Sequence, residues 1–203
     1  VRTAVGQMRQ YRMMLPDANG QAELMGLEGA AAKTYWPCYG SLFPEELKFE
    51  ERSRQPPRDV ANSALGFLYT VLQGECVTAL HAVGLDPGIG VLHSTNDRNP
   101  SLAFDLMEEF RPLIVDRTVL QAARRRSLTA QHGRSADDKP GVLLTAAGRE
   151  NILTAYETMM LTKVSGALPE FAGSWRRHLY RQAQRLMAAI MDPTKSWRGV
   201  SWR

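Results

Sequence analysis

The sequence predicts an all-α domain built around one hydrophobic core. Apolar residues recur at the three- and four-residue spacing of helices along almost the whole chain, and the alternating pattern of β-strands is nearly absent. The chain has 203 residues, 44% of them hydrophobic and 23% charged, which is the size and composition of a single globular domain. It contains no apolar run of about 18 residues, so we expect neither a transmembrane helix nor a membrane partner.

Two helices and a connector are predicted in the first part of the chain. Apolar spacing favours helices over residues 3–15 and 21–36, with Gly20 between them and Pro37 ending the second. The charged segment 45–58 ends in two prolines and is predicted to connect these helices to the next one.

A long, buried helix is predicted in the middle of the chain. Asp59 is a good N-cap for a helix over about 60–83, and the apolar residues of this helix surround most of its circumference. The segment 84–90 is rich in glycine and proline and is predicted to be a loop. The next predicted helix covers 101–126, with Ser101 as its cap and a kink or break at Pro112.

The last third of the chain is predicted to contain two further helices. Residues 127–141 are polar and are expected to form a mobile loop. Thr145 is expected to cap a helix over 146–164, and Ser174 a helix over about 175–191. Residues 192–203 have no apolar period and are predicted to be an irregular basic tail.

The two cysteines and the distribution of charge bear on compartment and partners. Cys38 and Cys76 match no metal-binding spacing and are expected to be reduced thiols, which fits the cytoplasm. Residues 1–119 carry 11 Lys and Arg against 15 Asp and Glu, whereas residues 120–203 carry 14 against 6. A basic half favours an acidic polymer as partner, although uneven surface charge without a partner is the alternative.

Two sets of arginines in the basic half are predicted to bind DNA phosphates. One set is consecutive, and the other repeats every four residues on the last helix. The residues are Arg124, Arg125, Arg126, Arg177, Arg181 and Arg185.

Four residues are candidates for chemistry. Glu28 lies in a helix of small residues, His93 follows the glycine-rich loop, and Asp105 shares a helix face with Glu108 or Glu109. One imidazole and several carboxylates suit Mg²⁺ or Mn²⁺, while zinc is disfavoured because no cysteine accompanies them. From the residues alone, a surface carboxylate, a structural histidine and a solvated acidic stripe explain the pattern equally well.

Four sequence blocks resemble a known family. GLEGAAAKTYW at 26–36, RQPPRDVANSALGFLYTVL at 54–72, GLDPGIGVLH at 84–93 and SLAFDLMEEFRPLIVD at 101–116 stand in order. Together they resemble the C-terminal helical domain of the integrase of the CRISPR adaptation system, CRISPR-associated protein 1.

The resemblance implies a prokaryotic, metal-dependent DNA integrase and endonuclease. It implies that captured double-stranded DNA is inserted into a CRISPR repeat by 3′-hydroxyl attack on a phosphodiester. The implied metal ligands are Glu28, His93 and Glu108, with Asp105 as a further acidic residue that the reaction needs. The residues implied to shape the site or touch DNA are Asn62, Tyr69 and Arg111.

The resemblance also implies partners and alternatives. Family members begin with a β-rich domain, and this chain is expected to start at the helical lobe. The expected partners are CRISPR-associated protein 2, a second copy in the full-length protein, and a linked or fused nuclease. The alternatives are a casposon-type transposase with the same chemistry and a non-catalytic all-α DNA-binding module.

Overall fold

Helix α3 (Val60–Ala82) lies at the centre of the fold in a computed structural model of the chain. The structure describes residues 1–47, 49–93, 99–136, 140–192, 194, 195 and 197–201. The prediction of a long buried helix is confirmed, and the largest of its fully buried side chains are Leu65, Leu68, Leu72 and Leu80. Its predicted N-cap is also confirmed, because the Asp59 carboxylate accepts a hydrogen bond from the Asn62 N–H at 2.7 Å.

Six further α-helices are described around α3. They are α1 (Arg2–Met14), α2 (Gln21–Gly40), α4 (Ser101–Arg111), α5 (Arg117–Arg124), α6 (Ala146–Leu161) and α7 (Trp175–Met191). Helices α4, α5, α6 and α7 all contact α3, while α1 packs against α2. Short 3₁₀ turns lie at Leu15–Asp17, Glu45–Leu47 and Ala130–His132. None of the described helices is both long enough and apolar enough to cross a membrane.

Helix α2 continues through Pro37, which corrects the predicted end of this helix at residue 36. An aromatic cluster holds the last turn, in which Tyr39 contacts Phe43 and Phe49 at ring-centroid distances of 5.0 and 5.6 Å. Gly40 lies so close to Phe49 that a Cβ atom would be 2.9 Å from that ring. Packing of this cluster therefore outweighs the hydrogen bond that the proline removes.

The predicted break at Pro112 is confirmed and takes the form of a π-helical segment, Pro112–Asp116, between α4 and α5. Proline lacks the N–H that the regular helix needs, so the register widens by one residue here. Helix α4 begins at Ser101 itself and is preceded by Pro100, so Ser101 is not the N-cap that was predicted.

The mostly helical fold that the sequence predicts is confirmed, but it also contains two short β-hairpins that were not predicted. Strand β1 (Gly133–Ser135) pairs antiparallel with β2 (Val142–Leu144), and β3 (Lys163–Leu168) pairs antiparallel with β4 (Phe171–Ser174). The sequence did not reveal them because strands of three to six residues are too short for a clear alternation of polar and apolar residues. Helix α6 accordingly ends at Leu161 rather than near residue 164.

The first hairpin lies where a mobile loop over 127–141 was predicted. The Val142 N–H donates to the Pro57 carbonyl at 2.8 Å, and the Ser63 hydroxyl donates to the Val142 carbonyl, so the hairpin is tied to the start of α3. The expectation of a loop is therefore wrong for residues 130–135, and residues 137–139 lie outside the described part of the chain.

The tail runs back over the helices. Residues 194, 195 and 197–201 form no helix or strand. The Val200 N–H donates to the Glu109 carboxylate at 2.8 Å, and the Ser201 N–H donates to the Ala167 carbonyl at 3.1 Å. The caps predicted for α6 and α7 are confirmed, since the hydroxyls of Thr145 and Ser174 accept the expected backbone hydrogen bonds.

Candidate active site

A pocket of about 230 Å³, here called the carboxylate pocket, is formed by residues of α1, α2, α3, α4, the connector before α3 and the π-helical segment. Its polar lining residues are Glu28, Tyr35, Arg54, Tyr69, Glu108, Arg111 and Asp116. The structure therefore brings together Glu28 and Glu108, which lie 80 residues apart in the sequence.

The two glutamates differ in their partners. Glu28 lies on the exposed face of α2. Glu108 forms a short ion pair with Arg111, whose guanidinium lies 4.4 Å from the centre of the Tyr69 ring. A cation beside Glu108 reduces the repulsion between the carboxylates, and stacking on Tyr69 fixes where that cation lies.

A buried carboxylate, Asp116, organises the wall of the pocket. Its oxygens accept hydrogen bonds from the hydroxyls of Tyr69 and Tyr35, the latter at 2.7 Å, and its carbonyl accepts one from Tyr39 at 2.8 Å. Burial raises the pKa of Asp116, although these hydrogen bonds and nearby Arg111 act to lower it. Burial and the neighbouring Asp116 raise the pKa of Tyr69, so this phenol stays protonated and remains a donor.

Asn62 acts at a distance from the pocket. Its side chain accepts from Arg52 at 3.0 Å and from the Ser53 N–H at 2.9 Å, and donates to Asp59 at 2.6 Å. It is 1% exposed, so it is too buried to touch DNA in this conformation. Asn62 does not line the carboxylate pocket, and it is linked to it through Arg52, whose guanidinium lies 5.5 Å from the Tyr69 ring centre.

His93 pairs with Asp105, and neither residue lines the carboxylate pocket. The His93 Nδ1 lies 2.6 Å from Asp105, whose carboxylate also accepts the backbone N–H groups of residues 91–93. Burial acts to raise the pKa of Asp105, but these hydrogen bonds outweigh it and lower the pKa. Asp105 therefore holds the loop and the His93 ring in place, while Gln21 of α2 donates to the Leu92 carbonyl of the same loop.

The side chains of Glu28, Glu108 and His93 suit a hard divalent ion chemically, since they offer carboxylates and one imidazole. Within the described part of the chain, however, no three His, Cys, Asp or Glu side chains are clustered closely enough to hold a metal. Glu28 and Glu108 share the carboxylate pocket, whereas His93 is held by Asp105, one helical turn before Glu108 on α4.

Glu109 is outside the site. Its carboxylate accepts from Gln182 at 2.7 Å and from the Val200 N–H at 2.8 Å, and burial raises its pKa. Arg111 pairs with Glu108 rather than with Glu109. Glu109 anchors the tail to α4 and α7.

The predicted DNA-binding arginines fall into distinct surroundings. Arg177 and Arg181 are exposed and line an open pocket with Phe171 and Tyr180. Arg185 instead donates to the Arg198 carbonyl at 3.0 Å and so helps to hold the tail. Arg124, Arg125 and Arg126 are all exposed at the end of α5.

Sequence reasoning missed Tyr35, Arg54 and Asp116 in the carboxylate pocket. Tyr35 follows Glu28 by seven residues, and this spacing places both on the same helix face, so the signal was present. Asp116 lies beyond the π-helical segment, and the widened register there removes any simple spacing rule.

The sequence profile described as CRISPR associated protein Cas1 matches residues 1–158. The chain belongs to the Cas1 family. The CRISPR-associated endonuclease Cas1 3 of Thermus thermophilus is 39% identical over 86% of this chain and 52% of its own length. A CRISPR-associated exonuclease Cas4/endonuclease Cas1 fusion of Geobacter sulfurreducens is 38% identical over 80% of this chain and 30% of the fusion. The chain thus spans about half the length, or less, of these Cas1 relatives.

Solved structures show the same fold. A casposase bound to integration product has a TM-score of 0.84 and 26% identity, over 94% of this chain and 53% of the casposase. A chain of a Cas6-RT-Cas1–Cas2 complex has a TM-score of 0.84 and 25% identity, over 98% of this chain and 22% of that one.

Proposed function

We propose that this protein is a metal-dependent DNA strand transferase and endonuclease that inserts short DNA fragments into a CRISPR array. The observation that carries this proposal is the carboxylate pocket, where Glu28 and Glu108 meet in front of the buried Asp116 network. Membership of the Cas1 family supports it, because a relative in that family is named as an endonuclease.

The proposed reaction exchanges one phosphodiester for another. The 3′-hydroxyl oxygen of the captured fragment forms a bond to phosphorus as the bond to the leaving oxygen of the repeat strand breaks. Overall, the proton passes from the attacking hydroxyl to the leaving oxygen, so the reaction needs no external energy source. Water in place of the hydroxyl gives DNA hydrolysis at the same site.

We propose Glu28, His93 and Glu108 as the ligands of Mg²⁺ or Mn²⁺. Only the two glutamates share the carboxylate pocket, so this proposal requires His93 to move closer to them when the ion binds. When bound, the ion stabilises the negative charge that develops on the phosphodiester. The protein's own residues orient two of these side chains: Asp105 holds the His93 ring, and Arg111 holds the Glu108 carboxylate.

The cations of the pocket are proposed to hold the DNA strand. Arg54 and Arg111 line the carboxylate pocket together with the two glutamates. A planar guanidinium binds phosphate oxygens through two parallel hydrogen bonds and therefore orients the phosphodiester as well as attracting it. Arg177 and Arg181 are proposed to bind phosphates farther along the strand, without reading bases.

A casposon-type transposase is the second candidate. The likeness to a casposase at a TM-score of 0.84 favours it, because a shared fold allows the same chemistry on transposon ends. A non-catalytic DNA-binding module is disfavoured, since such a module has no need for two carboxylates in one pocket.

The proposed partners are double-stranded DNA, Cas2 and a second copy of the full-length protein. The Cas1–Cas2 complex among the similar structures supports Cas2, and the Cas4/Cas1 fusion supports a linked nuclease.

The decisive experiment is a strand-transfer assay on a gel, with a labelled fragment and a supercoiled target. We expect products with Mn²⁺ or Mg²⁺ and none in excess chelator. Insertion at a leader–repeat junction supports the integrase, whereas joining only of transposon ends supports the transposase. Full activity in chelator would rule out both metal-dependent proposals.

A further inference from the structure

A second pocket, here called the basic pocket, follows directly after the π-helical segment. Its volume is about 450 Å³, within the range of about 300–1,000 Å³ typical of ligand sites. Residues of α5, α6 and β3 form it, and its charged and hydroxyl-bearing lining residues include Arg117, Thr118, Arg125, Thr158 and Lys163. Among the described residues that line it, none is a carboxylate.

The cations of the basic pocket differ from Arg111 in the carboxylate pocket. Arg125 and Lys163 are exposed, and neither forms an ion pair within the described ranges of the chain. Two such charges beside one pocket, with Arg117 adjoining them, create a strongly positive surface there. An anion in the pocket would reduce their mutual repulsion.

A buried hydroxyl provides a second and independent observation. Thr118 lines the basic pocket and is only 2% exposed, yet its Oγ1 has no hydrogen-bond partner among the described residues. Leaving a buried hydroxyl unpaired costs about 1–3 kcal/mol, so such groups usually mark a missing partner. A hydroxyl can donate a hydrogen bond to an anion, and this one belongs to a residue that lines the same pocket as the cations.

Stabilisation of helix ends is a simpler role for these cations, and it predicts different effects of substitution. Arg125 caps the C-terminus of α5, and Lys163 follows the C-terminus of α6. Cations at these positions stabilise the helix dipole, in which case their removal lowers stability and affects no ligand. That role does not explain the unpartnered Thr118 hydroxyl.

We propose that the basic pocket binds a phosphate group, with Arg125 and Lys163 as the charged ligands and Thr118 as the buried donor. The proposed source is a phosphodiester of a DNA strand. The assignment to DNA rests on the proposed function, whereas phosphate binding itself does not. The second half of the chain, with its excess of basic residues, would thus bind one phosphate of the strand at a specific site, in addition to attracting the strand electrostatically.

Calorimetric titration of the purified protein with inorganic phosphate tests the site without metal or strand transfer. We expect Arg125→Gln and Lys163→Gln each to weaken phosphate binding about tenfold, the loss typical of one charge-assisted hydrogen bond. The matched control is Arg12→Gln, which removes the same charge from an exposed residue in the last turn of α1 that does not line the pocket, and which should change binding less than about twofold. Thr118→Val should weaken binding, and Thr118→Ser should retain it.

The outcomes separate the possibilities. Equal effects of Arg12→Gln and Arg125→Gln on phosphate affinity would rule out phosphate binding in the basic pocket, and so would a lower melting temperature for Arg125→Gln with unchanged phosphate affinity. Anisotropy titration with a short DNA duplex then identifies the source. Loss of duplex affinity in Arg125→Gln and Thr118→Val supports DNA, whereas loss of phosphate binding alone overturns the DNA assignment. Neither titration depends on catalysis, so failure of the proposed strand transfer would leave this test intact.

Discussion

The carboxylate pocket and the basic pocket adjoin the same π-helical segment but differ in whether their cations are paired with carboxylates. Pro112 and Asp116 line the first, and Arg117 and Thr118, the next two residues, line the second. In the carboxylate pocket, Arg111 is paired with Glu108 and stacked on Tyr69. In the basic pocket, Arg125 and Lys163 have no described carboxylate as partner.

This difference separates two kinds of function. Paired charges over a buried network keep fixed positions, which is what chemistry at one phosphorus atom requires. Exposed cations without internal partners attract the phosphates of a polymer, which is what strand binding requires. Substitutions in the first pocket should therefore have effects that depend strongly on position, and substitutions among the exposed cations should have smaller effects that add together.

The largest expected effect tests whether activity depends on which of two neighbouring glutamates is substituted. Glu108→Gln should lower strand transfer and DNA cleavage by about two to three orders of magnitude, because it removes a charge that the proposed metal needs. Glu109→Gln makes the same change at the next residue and should retain activity, since its carboxylate binds the tail instead. Loss of metal binding in calorimetry for Glu109→Gln and not for Glu108→Gln would show that the site is displaced by one residue.

The next effect concerns the residue that holds His93. Asp105→Asn should lower metal affinity and cleavage by about 10- to 100-fold, the range seen when the partner of a metal-binding histidine is removed. It should do less harm than His93→Ala, which removes the proposed ligand itself while leaving the fold intact. Cleavage rates measured over a Mn²⁺ titration distinguish them, because excess Mn²⁺ should restore only Asp105→Asn. Equal loss in both variants at saturating Mn²⁺ would contradict a positioning role.

A smaller effect is expected on the network behind the pocket. Asp116→Asn should lower the free energy of unfolding by about 1–3 kcal/mol, because one of the two tyrosine hydroxyls loses its buried acceptor. Urea unfolding measures this loss. The exposed Glu150→Gln is the control and should stay within about 0.5 kcal/mol of the parent protein. An unchanged midpoint for Asp116→Asn would mean that the network contributes nothing to stability.

The smallest expected effects concern the arginines of α7 and their contribution to DNA binding. Arg177→Gln and Arg181→Gln should each weaken DNA binding a few-fold, equally for all sequences, and should reduce the slope of log affinity against log salt by about 1. Arg185→Gln should instead affect the tail that this residue holds, with little change in the salt slope. Anisotropy titrations at several salt concentrations measure these slopes. A slope change in Arg185→Gln alone would reverse the assignment.

Much of the helical framework was predictable because its signals are local. Asp59, Thr145 and Ser174 cap α3, α6 and α7 as their sequences indicate, and Pro112 interrupts the helix that contains it. The two hairpins were not predictable, because the contact of Val142 with Pro57 is made between segments 85 residues apart. Helix α2 passes through Pro37 for a similar reason, since distant Phe49 packs against its last turn.

By itself, the sequence determined the family, the central helix and the residues proposed for chemistry, since caps, apolar periodicity and four ordered blocks are properties of neighbouring residues. Only the tertiary structure decided which of those residues meet. In the folded chain, Glu28 and Glu108 line one pocket, and His93 pairs with Asp105. Asn62 is buried, and the Glu109 side chain binds the tail instead of lining the pocket with Glu108. The physical reason is that a helix fixes the direction of a side chain, whereas the packing of other segments fixes what that side chain faces.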